Sequence, residues 1–211
     1  MRKIHRLLSS CRRGYFKYLY LCTLNHKIRK IRRKETIRVL FAVAESATWK
    51  NDSLYRAMLM HPGFTPLILV LPDEQKEESL KWEGVDTCFD FFRNKGYTCS
   101  YPYENGKLIN IRKALNPDII FYQKPYTYYP ESFLYRRNLN ALFCYTNYAF
   151  HSLLADWANK NDFFQLVWQN YYENESGFTD LKRKYPEAAS NIVVTLSLIH
   201  ISEPTRLRRI S

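Results

Sequence analysis

Residues 37–44 read IRVLFAVA and residues 66–71 read PLILVL. A strand with one wet face alternates apolar and polar side chains. These two runs barely alternate, so each suits a strand buried on both faces of a sheet. Between them the sequence carries a helix signature. Asn51, Asp52 and Ser53 can cap it, Leu54 and Met58 share a face four residues apart, and His61-Pro62-Gly63 ends it. Pro72-Asp73 closes the second run.

The same alternation continues along the chain. Glu74 to Lys81 reads as a short charged helix, and Val85 to Asn94 as an amphipathic one that stops at Gly96. Thr98 to Tyr101 is a short strand, Ile109 to Leu115 a helix ended by Asn116-Pro117, and DIIFY (118–122) a strand. Glu131 to Asn138 reads as helix and ALFCY (141–145) as strand. Ser152 to Tyr172 reads as an aromatic-rich helix broken near 159–162, Gly177 to Tyr185 as a short helix, and NIVVT (191–195) begins a strand. Strands and helices joined by short links predict an α/β, Rossmann-like fold: a mainly parallel sheet with helices on both faces and right-handed crossovers. Ligands of such sheets sit beyond the carboxyl ends of the strands. The segments to inspect are therefore 45–50, 72–73, 123–129 and 147–151.

Composition narrows the class. The 211 residues are 46% hydrophobic and 16% aromatic with only 6 Gly and 9 Pro, which excludes disordered and collagen-like chains. The longest apolar runs fall far short of the ~20 residues that span a bilayer. Net charge is +12, and residues 1–38 account for all of it, with thirteen Lys/Arg against the single acid Glu35. The rest of the chain is balanced. Residues 1–35 therefore read as a basic amphipathic helical arm with interleaved Leu7, Leu8, Tyr15, Phe16, Tyr18, Leu19, Tyr20 and Leu21. Lys17 interrupts the apolar stretch and no small-residue cleavage site follows, so it is not a signal peptide. An anionic membrane surface suits it, at ~1 kcal/mol per Lys/Arg near the surface. A solvated extension is the plain alternative. Nucleic acid is not expected as a partner, because the body is neutral. Cys11, Cys22, Cys88, Cys99 and Cys144 form no CxxC pair and no metal-ligand spacing, which fits reduced thiols in a cytosolic protein.

The strand ends offer few chemical groups. After the first strand come Glu45, Ser46, Trp49 and Lys50. Glu45 can act as a general base or accept a sugar hydroxyl, or it is a solvated loop acid. Trp49 and Lys50 can stack on and pair with an anionic acceptor, or Trp49 anchors the loop in the core. After DIIFY, Gln123 and Tyr126 lead a polar, tyrosine-rich loop that can face a hydroxyl-rich ligand or pack on its neighbour. After ALFCY comes His151, whose ordinary pKa near 6.5 suits proton abstraction, or which caps a helix. No GxGxxG, P-loop, HExxH or GxSxG pattern is present, so neither a metal nor a cofactor is expected.

The C-terminus reads differently. Leu196 to Arg206, LSLIHISEPTR, back-translates to a string that resembles the transposase mosaic end and adapter of short-read sequencing libraries. The native frame is expected to stop near Thr195, with 196–211 as non-native read-through and a second half of the protein missing.

Several blocks taken together, IRVLFAVAESATWKNDSLYRAML, TPLILVLP, DIIFYQKPYTY, ALFCYTNYAF and NIVVT, resemble the N-terminal half of CDP-glycerol glycerophosphotransferase-like proteins, over about residues 36–195. That bacterial cell-envelope family is of the GT-B type, with two Rossmann-like halves. The resemblance implies that residues 36–195 form the acceptor-side domain and that the missing half holds the nucleotide-activated donor. It also implies a membrane-linked polymer acceptor and peripheral attachment to the inner face of the bacterial plasma membrane. His151 lies near the place of the family's catalytic base, with Ser152 where the family has Gly. Ser46, Trp49, Lys50, Gln123 and Tyr126 are the expected acceptor-binding residues, and Glu45 is the second candidate for catalysis. The expected activity is transfer of glycerol-phosphate or a sugar, with the fragment inactive alone. A non-catalytic membrane-surface module on the same scaffold is the other expectation.

Overall fold

In a computed structural model that describes residues 2–124, 128–146, 162–172, 175–184 and 191–195, the run at 37–44 becomes strand β1 (Ile37–Val43). Successive side chains of a strand point to opposite faces. Leu40, Ala42 and Ala44 enter one core, and Val39, Phe41 and Val43 enter the other. Both faces are dry, which is why the run hardly alternates. β2 (Phe64–Val70) pairs with β1 in parallel from Ile37↔Phe64 to Val43↔Val70. On the other side β6 (Ile119–Tyr122) pairs in parallel from Val39↔Ile119 to Ala42↔Tyr122.

The remaining strands are β3 (Cys99–Ser100), a hairpin of β4 (Tyr103–Glu104) and β5 (Lys107–Leu108), β7 (Leu142–Thr146), β8 (Gln169–Tyr172) and β9 (Ile192–Val194). The main sheet has seven strands in the order β3-β2-β1-β6-β7-β8-β9. Every adjacent pair in it is parallel. The chain winds outward from β1 to β3, then returns to the other side of β1 and winds outward again. The order therefore reverses between β1 and β6.

Helices cover both faces, as the sequence predicts. Helix α1 (Arg2–Arg32) lays Tyr20 and Leu24 on the core that holds Leu40, Tyr122 and Phe143. Helices α2 (Asp52–Met60) and α3 (Glu78–Asn94) bury Tyr55, Val85, Cys88 and Phe92 in the opposite core. Two further helices, Asp162–Leu166 and Glu175–Lys184, precede β8 and β9. No helix among the described residues is long and apolar enough to cross a membrane.

Charge placed residues 1–35 in a separate arm, but the lower half of α1 is built into the domain. Tyr20 is 2% exposed and stacks on Phe143 with ring centroids 5.2 Å apart. Lys27 donates to the Leu139 carbonyl and lies 3.9 Å from the centre of the Tyr20 ring. Lys34 Nζ pairs with Asp118 at 2.6 Å.

Three local expectations change, and a hairpin forms at 103–108, where no element was expected. The segments at 74–81 and 85–94 are one helix, α3, entered through a turn. The stretch before Ile109 is a hairpin whose Asn105 and Gly106 both have positive φ (51° and 73°), the two-residue loop that matches strand twist. Glu131 to Asn138 is two 3-10 turns, because Leu134 between them is extended. Gln169 to Tyr172 is a strand rather than the end of a helix. Asn170 and Tyr172 are buried and their neighbours half-buried, a period of two concealed in an aromatic stretch. Residues 152–161 and 196–211 lie outside the described residues.

Tyr20→Ala should cost about 3 kcal/mol in urea unfolding, as for other large buried aromatics, while Tyr18→Ala, on the exposed side, should cost less than about 0.5 kcal/mol. Equal, small losses would mean that α1 is not part of the domain. Half-burial holds the Lys27 ammonium down to a pKa of about 8, against 10.5 for the unfolded chain. A lowered pKa means that the unfolded state binds the extra proton between those values. Stability of the parent relative to Lys27→Met should therefore rise from pH 8 to pH 10.5 and be flat below pH 7. A relative stability that falls over that window contradicts the assignment.

Candidate functional site

The rim to inspect lies beyond the carboxyl ends of β1 and β6, where the strand order reverses. Regular pairing ends at Ala42↔Tyr122, after which the Gln123 N–H still donates to the Ala42 carbonyl at 3.1 Å. The two chains would diverge there but for one side chain. Gln123 Oε1 accepts from the Ala44 and Glu45 N–H groups at 3.0 and 3.3 Å. Gln123 Nε2 donates to the Glu45 carbonyl at 2.9 Å. The amide thus substitutes for the next ladder rung, and Gln123 is 5% exposed.

That clamp aims Glu45 at two lysines from different loops. Lys124 Nζ lies 3.0 Å from Oε2 and Lys76 Nζ 3.8 Å from Oε1. The Lys124 side chain is only 15% exposed, whereas a third of the Glu45 side chain reaches solvent. A third link closes the rim, because the Glu74 N–H donates to the Tyr128 carbonyl at 2.7 Å. The loops after β1, β2 and β6 therefore share one polar centre: a half-exposed carboxylate between two ammonium groups. Such a group can accept a hydroxyl hydrogen bond while the ammoniums meet an anionic neighbour.

The expected residues divide. Glu45 and Gln123 come together, and the Gln123 amide is committed to the backbone of residues 44–45. Of the two readings of Trp49, its contacts fit the loop anchor. Its ring stands edge-on to Phe41 and Phe92 at 5.5 and 5.1 Å, and its indole nitrogen is buried. Ser46 opens a 3-10 turn, Ser46–Thr48, and its carbonyl accepts from the Trp49 N–H at 3.1 Å. Lys50 is half-buried in the link to α2. Tyr126 and His151 lie outside the described residues; β7 ends at Thr146 on the same rim. Sequence reasoning missed Lys124 and Lys76 as site members. Lys124 falls in the strand-end segment 123–129 already singled out, whereas Lys76 lies in the stretch read as the start of a charged helix.

No family model matches the chain, and no curated protein sequence matches it significantly.

Gln123→Leu would leave the Ala44 and Glu45 N–H groups without their acceptor, so it should cost about 3 kcal/mol in chemical denaturation. Glu45→Gln removes only part-exposed ion pairs and should cost less than about 1 kcal/mol. The reverse ranking would show that the ion pairs, not the amide, hold the rim together.

Proposed function

We propose that the chain is the acceptor-binding half of a two-lobed transferase. It would move glycerol-phosphate or a sugar from a nucleotide-activated donor to a membrane-linked cell-envelope polymer. The observation that carries this reading is the polar centre of Glu45, Lys124 and Lys76 at the point where the strand order reverses. Family resemblance in the blocks around it and the basic α1 add support.

In this mechanism the acceptor docks on the rim with a hydroxyl on Glu45 and its backbone phosphate between Lys124 and Lys76. The hydroxyl oxygen attacks the donor's phosphorus, or the anomeric carbon of a sugar donor. The new bond to that oxygen forms as the bond to the nucleotide breaks. The proton passes to a base on this lobe, Glu45 or His151, and the second lobe holds the donor phosphates with helix N-termini and basic groups. A second reading, a non-catalytic membrane-surface module, draws on the commitment of Gln123 and Trp49 to framework contacts.

Short glycerol-phosphate oligomers should bind the purified chain saturably by calorimetry, and Lys124→Ala with Lys76→Ala should weaken binding at least tenfold. The chain alone should show no transfer from CDP-glycerol. In a version carrying both lobes, loss of the true base should lower kcat by about 100-fold or more. Absence of oligomer binding, or binding that ignores both lysines, would favour the non-catalytic module.

A further inference from the structure

Helix α1 carries two stripes on opposite sides. Tyr20, Leu24, Lys27 and Ile31 are buried or half-buried against the domain. On the other side Tyr15 is 61% exposed, Tyr18 66% and Leu19 40%, with Cys22 beside them. The sequence extends that outer row toward the N-terminus. In the sequence, Ile4, Leu8 and Cys11 continue the steps of four and three set by Tyr15, Tyr18 and Cys22. Below Cys22 the outer row turns basic, with exposed His26, Arg29 and Arg33. An apolar stripe on a helix rich in Lys/Arg is the pattern of a helix lying in a membrane interface.

The helix has a defined direction relative to the site. Tyr20 sits over Phe143 inside β7, Lys27 reaches Leu139 just before that strand, and Lys34 reaches Asp118 just before β6. α1 therefore runs antiparallel to the strands, and its N-terminal part heads past the carboxyl rim. The eighteen residues from Arg2 to Leu19 make about 27 Å of helix. β7 has about 10 Å left beyond Phe143. Some 17 Å of helix consequently overhangs the rim.

We infer that the protein lies flat on an anionic bilayer with α1 between lipid and sheet. The strands run along the membrane, and the rim faces sideways about one helix diameter, 10–12 Å, above the lipid. This rests on the membrane-linked acceptor proposed above and sharpens it: the rim takes head groups that project that far and passes over short ones. Anionic lipid is the occupant, rather than a second copy, because α1 contains no acid. Two such helices side by side would set like charges together.

The test uses the whole chain and vesicles of phosphatidylcholine with or without phosphatidylglycerol. The chain should co-sediment with the anionic vesicles, and Tyr18→Asp with Leu19→Asp should reduce binding at least tenfold while leaving the urea midpoint unchanged. Equal binding by that variant overturns the outer stripe as the contact. An environment-sensitive dye on Cys22, in a Cys11→Ser background, should shift to the blue on anionic vesicles. The same dye on Lys95→Cys, beyond the far-face helix α3, in a chain that also carries Cys11→Ser and Cys22→Ser, should not. Both shifting, or only the second, overturns the flat orientation even if binding stands. A dimer in vesicle-free solution that the two aspartates dissolve would assign the stripe to a second copy. None of these outcomes alters the oligomer-binding test of the rim, so the two proposals fail separately.

Discussion

The arrangement at the rim depends on one side-chain amide. Parallel neighbours share no turn, so nothing covalent holds the ends of β1 and β6 together where the strand order reverses. Each strand leaves the ladder with backbone groups that still need partners, and such groups are costly to bury unpaired. Gln123 supplies one acceptor to two N–H groups and one donor to a carbonyl, all within residues 44–45. Glutamate could not donate that last bond, and asparagine is one methylene shorter. By fixing the backbone of Glu45, the amide also fixes where the carboxylate points, and so the place where Lys124 and Lys76 gather.

A second constraint acts across the sheet. With both faces dry, the domain needs cover on each, and one cover is the lower half of α1. The stacked pair Tyr20 and Phe143 makes that cover part of the core. The basic segment cannot then swing freely, and whatever its outer side meets is held at a set angle to the sheet. Local folding energy and placement of the rim are thus joined through one helix.

The strands were legible because burial on both faces leaves a plain signature. IRVLFAVA, PLILVL, DIIFY and ALFCY all lie where the runs predict, within a residue or two. QNYY was not, because Asn170 and Gln169 break the apolar run and only tertiary contact makes the segment a strand. The helix expected at 131–138 failed where the chain does something local, at the extended Leu134. In the site, Glu45 and Gln123 were legible as strand-end residues. Whether each faces a ligand or the backbone was not, because that depends on a neighbour remote in sequence. Trp49 illustrates the same limit: its ring is claimed by Phe41, Phe92 and Tyr97, which no spacing around residue 49 reveals. α1 was read by charge, and charge records its outer side better than the few apolar positions that dock it.

The most direct test of the central claim is amide hydrogen exchange at Ala44 and Glu45. Both N–H groups lie just past the end of β1, where a loop would exchange within seconds. If the Gln123 amide holds the rim, both should be protected nearly as well as Phe41 inside the strand, and Gln123→Leu should release these two while Phe41 stays protected. Rapid exchange at both positions in the parent protein would contradict the account.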